Sequence, residues 1–127
     1  MLKAEFPVDH TVVTDEGEWA DACRELSEAT AVPWVLLSAG VSFAEYERQT
    51  LIACEGGASG VMAGRAVWKE AADLAGAERT AFLLQTAKER LQRLETICRA
   101  HGRPWTTFYP ELARAAGEEW YRSYGEI

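Results

Sequence analysis

The sequence predicts an α/β protein on three observations: three short apolar runs, a helical pattern after each of them, and glycines where strand and helix would meet. The runs span residues 2–8, 33–38 and 59–64. The second, Pro33-Trp34-Val35-Leu36-Leu37-Ser38, is almost wholly apolar, as a strand buried on both faces must be. At 127 residues the chain has the length of one domain and can bury a core. Residues 1–127 therefore read as a single domain. Its βα units lie at about 1–30, 31–57 and 58–101, and a C-terminal helix follows at about 105–124.

The elements follow in order. Behind the first run lies a turn-prone stretch, after which Trp19, Ala22, Cys23 and Leu26 recur at helical spacing up to about residue 29. The acids of Asp15-Glu16-Gly17-Glu18 sit at the start of this helix, where its dipole explains them without catalysis. Ser42 and Glu45 match a capping box, and the helix they open places Phe43, Tyr46, Thr50 and Cys54 on one face. It stops at Gly56-Gly57, where a left-handed residue costs little. Strand, helix and strand thus fit within residues 33–64, a βαβ unit that implies parallel strands and a right-handed connection. The strongest helix spans about 77–100, with Leu83, Ala87, Leu91, Leu94 and Cys98 as its apolar stripe and Gly102 and Pro104 behind it. Leu112, Ala113, Ala116 and Trp120 repeat helical spacing once more, weakened by Gly117.

Composition excludes several classes of function. The 48% hydrophobic and 26% charged residues are those of a globular domain. A formal net charge of −7 opposes nucleic acid and acidic membrane surfaces, both of which need clustered cations. An anionic substrate then requires a few local donors that outweigh the overall field. The longest apolar run, around residues 31–37, is far short of the ~20 residues that cross a bilayer. The opening Met1-Leu2-Lys3-Ala4-Glu5 is not that of a signal peptide, and the expected setting is the cytoplasm. Cys23, Cys54 and Cys98 form no C-x-x-C pair and read as buried, reduced thiols. His10 and His101 lie far apart without partners at ligand spacing, so no metal site is expected. The five tryptophans read as packing residues.

Two loops and one lysine carry the candidate chemistry. Ser38-Ala39-Gly40 and Gly64-Arg65-Ala66 follow consecutive strands at their C-terminal ends, where α/β folds bind ligands. Glycines there let backbone amides approach an anion, and Arg65 offers paired donors. The plainer alternative is a pair of tight turns beside a solvated arginine. Strand alternation places Lys3 and Glu5 on one face and Leu2, Ala4 and Phe6 on the other. If the apolar set packs on helices, Lys3 points away from them, where an amine shielded from water becomes a nucleophile. The alternative is an exposed lysine near the chain end.

Three ordered stretches carry a resemblance. They are Leu2-Lys3-Ala4-Glu5-Phe6-Pro7-Val8, Val32-Pro33-Trp34-Val35-Leu36-Leu37-Ser38-Ala39-Gly40-Val41, and Gly57-Ala58-Ser59-Gly60-Val61-Met62-Ala63-Gly64-Arg65-Ala66-Val67-Trp68. Over roughly residues 1–70 the chain resembles the tagatose-1,6-bisphosphate aldolase and sulfofructosephosphate aldolase family. That resemblance implies a (β/α)₈ TIM barrel that cleaves a phosphorylated ketose to dihydroxyacetone phosphate and an aldehyde, with no metal or other cofactor. It makes Lys3 the Schiff-base lysine and Ser38, Ala39, Gly40, Gly64 and Arg65 the holders of a substrate phosphate. The three strands then correspond to the sixth, seventh and eighth of a barrel that needs ~250 residues in full.

The chain is thus expected to be the C-terminal portion of a class I aldolase, a partial barrel with C-terminal helices, inactive by itself. Its partners would be a sugar phosphate or dihydroxyacetone phosphate and the missing N-terminal barrel portion, or a second copy in a homo-oligomer. Open sheet edges and an inner face bearing Val35 and Leu37 as an exposed apolar patch would favour such association. The alternative is a non-catalytic phosphate-binding or assembly module derived from the same barrel. A mainly helical interaction protein is a third reading, and it leaves the apolar strands unexplained.

Overall fold

In a computed structural model of the chain, which describes residues 1–115, the three apolar runs form one sheet. Strands β1 (Leu2–Ala4), β2 (Trp34–Leu37) and β3 (Val61–Met62) lie in the order β1-β2-β3 and are parallel throughout. Lys3 pairs with Val35 and Leu36 with Val61, so Lys3, Val35, Leu37 and Met62 share one face. Ala4, Trp34, Leu36 and Val61 share the other, and all four belong to the core built with the helices.

Each strand is shorter than its apolar run. The first stops at Ala4 instead of reaching Val8. Pro7 has no N–H for the ladder, and Phe6 turns aside to meet the Trp19 ring edge-on, with centroids 5.2 Å apart. Asp9 then closes a turn by accepting from the amide and hydroxyl of Thr11.

Helix α1 (Glu16–Ala29) starts at Asp15, whose carboxylate accepts from the Gly17 amide, and it buries Trp19 and Cys23. Helix α2 (Phe43–Glu55) starts at Ser42, which accepts from the Glu45 amide at 3.2 Å. The Glu45 carboxylate accepts from Gln49 one turn on, so only half of the expected capping box forms. One hydroxyl ties three elements together: Ser27 Oγ accepts from Trp34 Nε1 at 2.8 Å and donates to the Gly56 carbonyl at 2.5 Å. The chain leaves α2 through Gly57 at φ +105°, where a Cβ would stand 2.7 Å from that same hydroxyl, so the position demands glycine.

After β3 comes a short helix, α3 (Arg65–Trp68), which continues into a 3₁₀ turn at Lys69–Ala72. The long helix expected at 77–100 is present as α4 (Gly76–Phe82), a π turn (Leu83–Ala87) and α5 (Lys88–His101). The wider π turn changes the phase of the apolar stripe. Leu83 and Leu91 are 42% and 50% exposed, while Phe82, Ala87 and Leu94 pack on the core. Arg90 occupies the inner position beside Leu91, with its guanidinium over the rings of Phe43 and Phe82. The C-terminal helix expected over 105–124 begins later, after a 3₁₀ turn at Trp105–Thr107, as α6 (Pro110–Ala115). Ala116, Gly117 and Trp120 lie outside the described residues.

The face that bears Lys3 differs from expectation in one respect. Val35 is buried and Leu37 half-buried, so the exposed apolar surface there centres on Met62, at 41%. No helix among the described residues is long and apolar enough to cross a membrane.

Candidate functional site

The loops after β2 and β3 meet at the C-terminal edge of the sheet. Ser38 directly follows β2 as a buried residue, and its carbonyl accepts from the Val41 amide at 3.2 Å, closing a four-residue turn. Both central residues of this turn are left-handed, Ala39 at φ +44° and Gly40 at φ +84°. Two successive positive φ values make the type I′ pattern, which glycine adopts freely and alanine only with strain. The loop after β3 comes close beside it. A Cβ on Gly64 would stand 3.6 Å from Ser38 Oγ, and a Cβ on Gly40 would stand 3.3 Å from the guanidinium carbon of Arg65.

Four of the five residues expected to hold a phosphate therefore touch or nearly touch: Ser38, Gly40, Gly64 and Arg65. Ala39 is the exposed tip of the turn and joins them through its backbone. Gly64 precedes α3, and Arg65 is the first residue of that helix, as its position in the sequence predicts. Arg65 is exposed and has no acidic partner among the described residues, so its donors face solvent above the Gly40 turn.

A second cation belongs to this cluster and was not singled out in the sequence. Lys69 Nζ donates to the carbonyls of Gly40 and Val41 at 3.3 and 3.4 Å. It lies four residues after Arg65, the spacing that brings two side chains to one helix face, and that spacing was the available signal. Arg65 and Lys69 concentrate positive charge over one turn of a chain whose net charge is −7.

Lys3 stands apart from this cluster. It is exposed on the face opposite the helices, opposite Val35, and makes no ion pair or hydrogen bond among the described residues. Ser38 is three positions beyond Val35, so Lys3 lies ~10 Å below the loop edge at about 3.3 Å per strand residue.

A cleft of about 430 Å³ adjoins the Ala39 tip, lined by residues of the β1–α1 loop together with Ala39, Val41 and Gln49. Its polar groups include Glu5, Asp9, His10 and Gln49. The hydrogen bonds from the Thr11 hydroxyl and amide hold the Asp9 carboxyl below its ordinary range and keep it charged. Two carboxylates suit hydroxyl groups better than an anion. Among the described residues no three His, Cys, Asp or Glu side chains gather closely enough to hold a metal ion.

Sequence comparison relates the chain to known proteins. The chain is 32% identical over 121 residues to the tagatose 1,6-diphosphate aldolase of Lactococcus lactis subsp. lactis. It is a relative of the tagatose 1,6-diphosphate aldolases. The match covers 84% of this chain and 37% of the Lactococcus aldolase. Tagatose 1,6-diphosphate aldolase 2 of Streptococcus mutans serotype c is 31% identical over 121 residues, with 84% of this chain and 37% of the relative covered. The Enterococcus faecalis aldolase 2 is 32% identical over 124 residues, covering 83% and 36%. The chain thus spans little more than a third of the length of the aldolases it matches. No protein-family model matches it.

Proposed function

We propose that this chain is the Schiff-base-forming, C-terminal part of a metal-independent class I aldolase, and that the remainder of a (β/α)₈ barrel completes its site. The observation that carries the reading is the placement of Lys3, exposed, on the sheet face opposite the helical core, in a parallel sheet whose C-terminal edge bears Arg65 and Lys69 around Gly40. In this reading β1, β2 and β3 are the sixth, seventh and eighth barrel strands. A substrate phosphate binds against the amides near Gly40 and Gly64 and the two cations, and the ketone extends down towards Lys3. Charge-assisted contacts to an anion have the strength to fix that orientation.

The chemistry then needs one amine and a proton carrier. The neutral amine of Lys3 adds to the ketone carbon, and the carbinolamine loses water to form an iminium. As the bond between the α and β carbons breaks, its electron pair passes towards the iminium and leaves an enamine, while the β-hydroxyl gives up its proton and departs as the aldehyde. Protonation of the enamine and hydrolysis of the iminium release dihydroxyacetone phosphate and regenerate Lys3. The acid–base groups for these steps belong to the earlier strands. Enclosure by those strands also strips water from Lys3, which is exposed here, and favours its neutral form. The isolated chain is accordingly inactive in this reading.

Borohydride reduction in the presence of dihydroxyacetone phosphate tests the proposal. It should trap an adduct on Lys3 when an N-terminal barrel portion is supplied, and none in a reconstituted Lys3→Arg variant, because arginine stays protonated. An adduct on Lys69 or Lys88 would remove Lys3 from the mechanism. The exposure of Lys3 also favours a second reading, a module that binds phosphate or assembles without chemistry. Phosphate binding that depends on Arg65, with no adduct after reconstitution, would select it.

A further inference from the structure

At the other end of the sheet, two cysteines meet. Cys54 lies in the last turn of α2 and Cys98 in the last turns of α5, and their sulfurs are 4.0 Å apart. Cys54 is buried, whereas Cys98 is half-buried and lines a cleft of about 470 Å³ with Arg99, Trp105 and Ser59. Ser59 Oγ is buried without a hydrogen-bond partner, so the cleft wall holds an unused polar group. Nothing in the proposed aldolase chemistry uses this cluster.

The two sulfurs are not equivalent. Cys54 donates its S–H to the Cys98 sulfur, which also accepts from the Val61 amide, and these donors hold the Cys98 thiol below its ordinary range against the effect of burial. The Cys54 thiol is driven the other way, first by that same hydrogen bond and then by burial. The thiolate is the reactive form, so the cleft reaches the more nucleophilic partner. Cys23, the remaining thiol, is fully buried and pushed up to about 11 by desolvation.

We propose that Cys54 and Cys98 are a redox pair that a hydroperoxide entering this cleft converts to a disulfide, pinning α2 to α5. The Cys98 thiolate attacks the terminal peroxide oxygen, the O–O bond breaks, and the other oxygen leaves as an alcohol or water after taking a proton. The sulfenic acid so formed is attacked by Cys54, with S–S formation, S–O cleavage and loss of water. Two thiols lose two electrons and the peroxide gains them. The sulfurs must close from 4.0 Å to about 2.05 Å, a movement within reach of side-chain rotation and a small approach of the helices.

The test treats the reduced full chain with hydrogen peroxide, alkylates free thiols in denaturant and maps peptides. Loss of two thiols, a mass lower by two hydrogens and a Cys54–Cys98 linked peptide are expected, with Cys23 still alkylated. Cys98→Ser should slow oxidation of Cys54 roughly tenfold or more, because it removes the accessible thiolate. Cys54→Ser should leave a sulfenic acid on Cys98 that dimedone captures. A linkage that involves Cys23, a linkage only between chains, or a Cys98 that reaches sulfinic acid while Cys54 stays reduced would each overturn the proposal, and the unmodified sequence alone reports all three.

Discussion

On one face of the sheet Trp34 and Leu36 are fully buried, Tyr46 donates to the Leu36 carbonyl at 2.9 Å, and Ser27 links Trp34 to the end of α2. On the other, Lys3 and Met62 are exposed, and no side-chain hydrogen bond among the described residues fixes either. The same three strands supply both faces, so the difference arises from which residues alternate inward. Side-chain hydrogen bonding is concentrated where the helices lie, and on the face bearing the candidate amine burial is centred on Val35, with Lys3 and Met62 left exposed. Stability and chemistry are therefore separable by mutation.

The largest effect should come from Trp34→Ala on the covered face. It removes a fully buried indole and the donor to Ser27, and such truncations cost about 3–5 kcal/mol in denaturant unfolding. A loss below ~1 kcal/mol would mean that this face is loosely packed. Arg65→Ala should leave the unfolding midpoint nearly unchanged yet weaken phosphate binding by about 1.5–3 kcal/mol, the strength of a charge-assisted contact, as read by calorimetry. Equal affinity in Arg65→Ala and in a bulky Gly40 variant would detach the anion from these loops. On the opposite face, Lys3→Met should change stability by no more than about 0.5 kcal/mol, as an exposed position does. A larger loss would show that the two faces are not separable.

The smallest effect is in the acid limb. Arg90 binds Glu70 through two hydrogen bonds and holds its carboxyl below the ordinary range. A depressed carboxyl stabilises fully above the unfolded value of ~4.3, and the contribution is lost as pH falls through the lower folded value. Glu70→Gln should therefore be slightly less stable above that value, should lack the fall between it and the lower folded value, and should match the unmodified chain in stronger acid. The side chain is 42% exposed, so solvent screening keeps the difference slight.

Much of this was legible in the sequence because it depends on local pattern. Apolar runs gave three strands, Ser42 and Gly57 marked the ends of α2, and the short crossover required parallel pairing. The contact of Ser38, Gly40, Gly64 and Arg65 followed from their place after adjacent strands. Other features depend on what the folded chain brings together. The strand at 2–8 ended at Ala4 because Phe6 found Trp19. Leu91 gave its place to Arg90, since a guanidinium between two aromatic rings packs as well as an aliphatic chain, and no periodicity in hydrophobicity reports that. The pairing of Cys54 with Cys98 is likewise a matter of tertiary approach across 44 residues.

Arg90 has a consequence for how far the two candidate loops can be regarded as portable. One of its nitrogens donates to the Val67 carbonyl at 2.9 Å and lies 3.5 Å from that of Ala66, so a residue of the long helix caps the short helix that carries Arg65. A peptide ending before α4 would retain all three strands, both glycine turns and every residue proposed to touch phosphate. It would lack the clasp that keeps α3 wound, and Arg65 and Lys69 would lose their common direction. The smallest unit that would hold these loops in their present geometry is therefore larger than the loops themselves, and transplanting them into another α/β sheet would require bringing a counterpart of Arg90 with them.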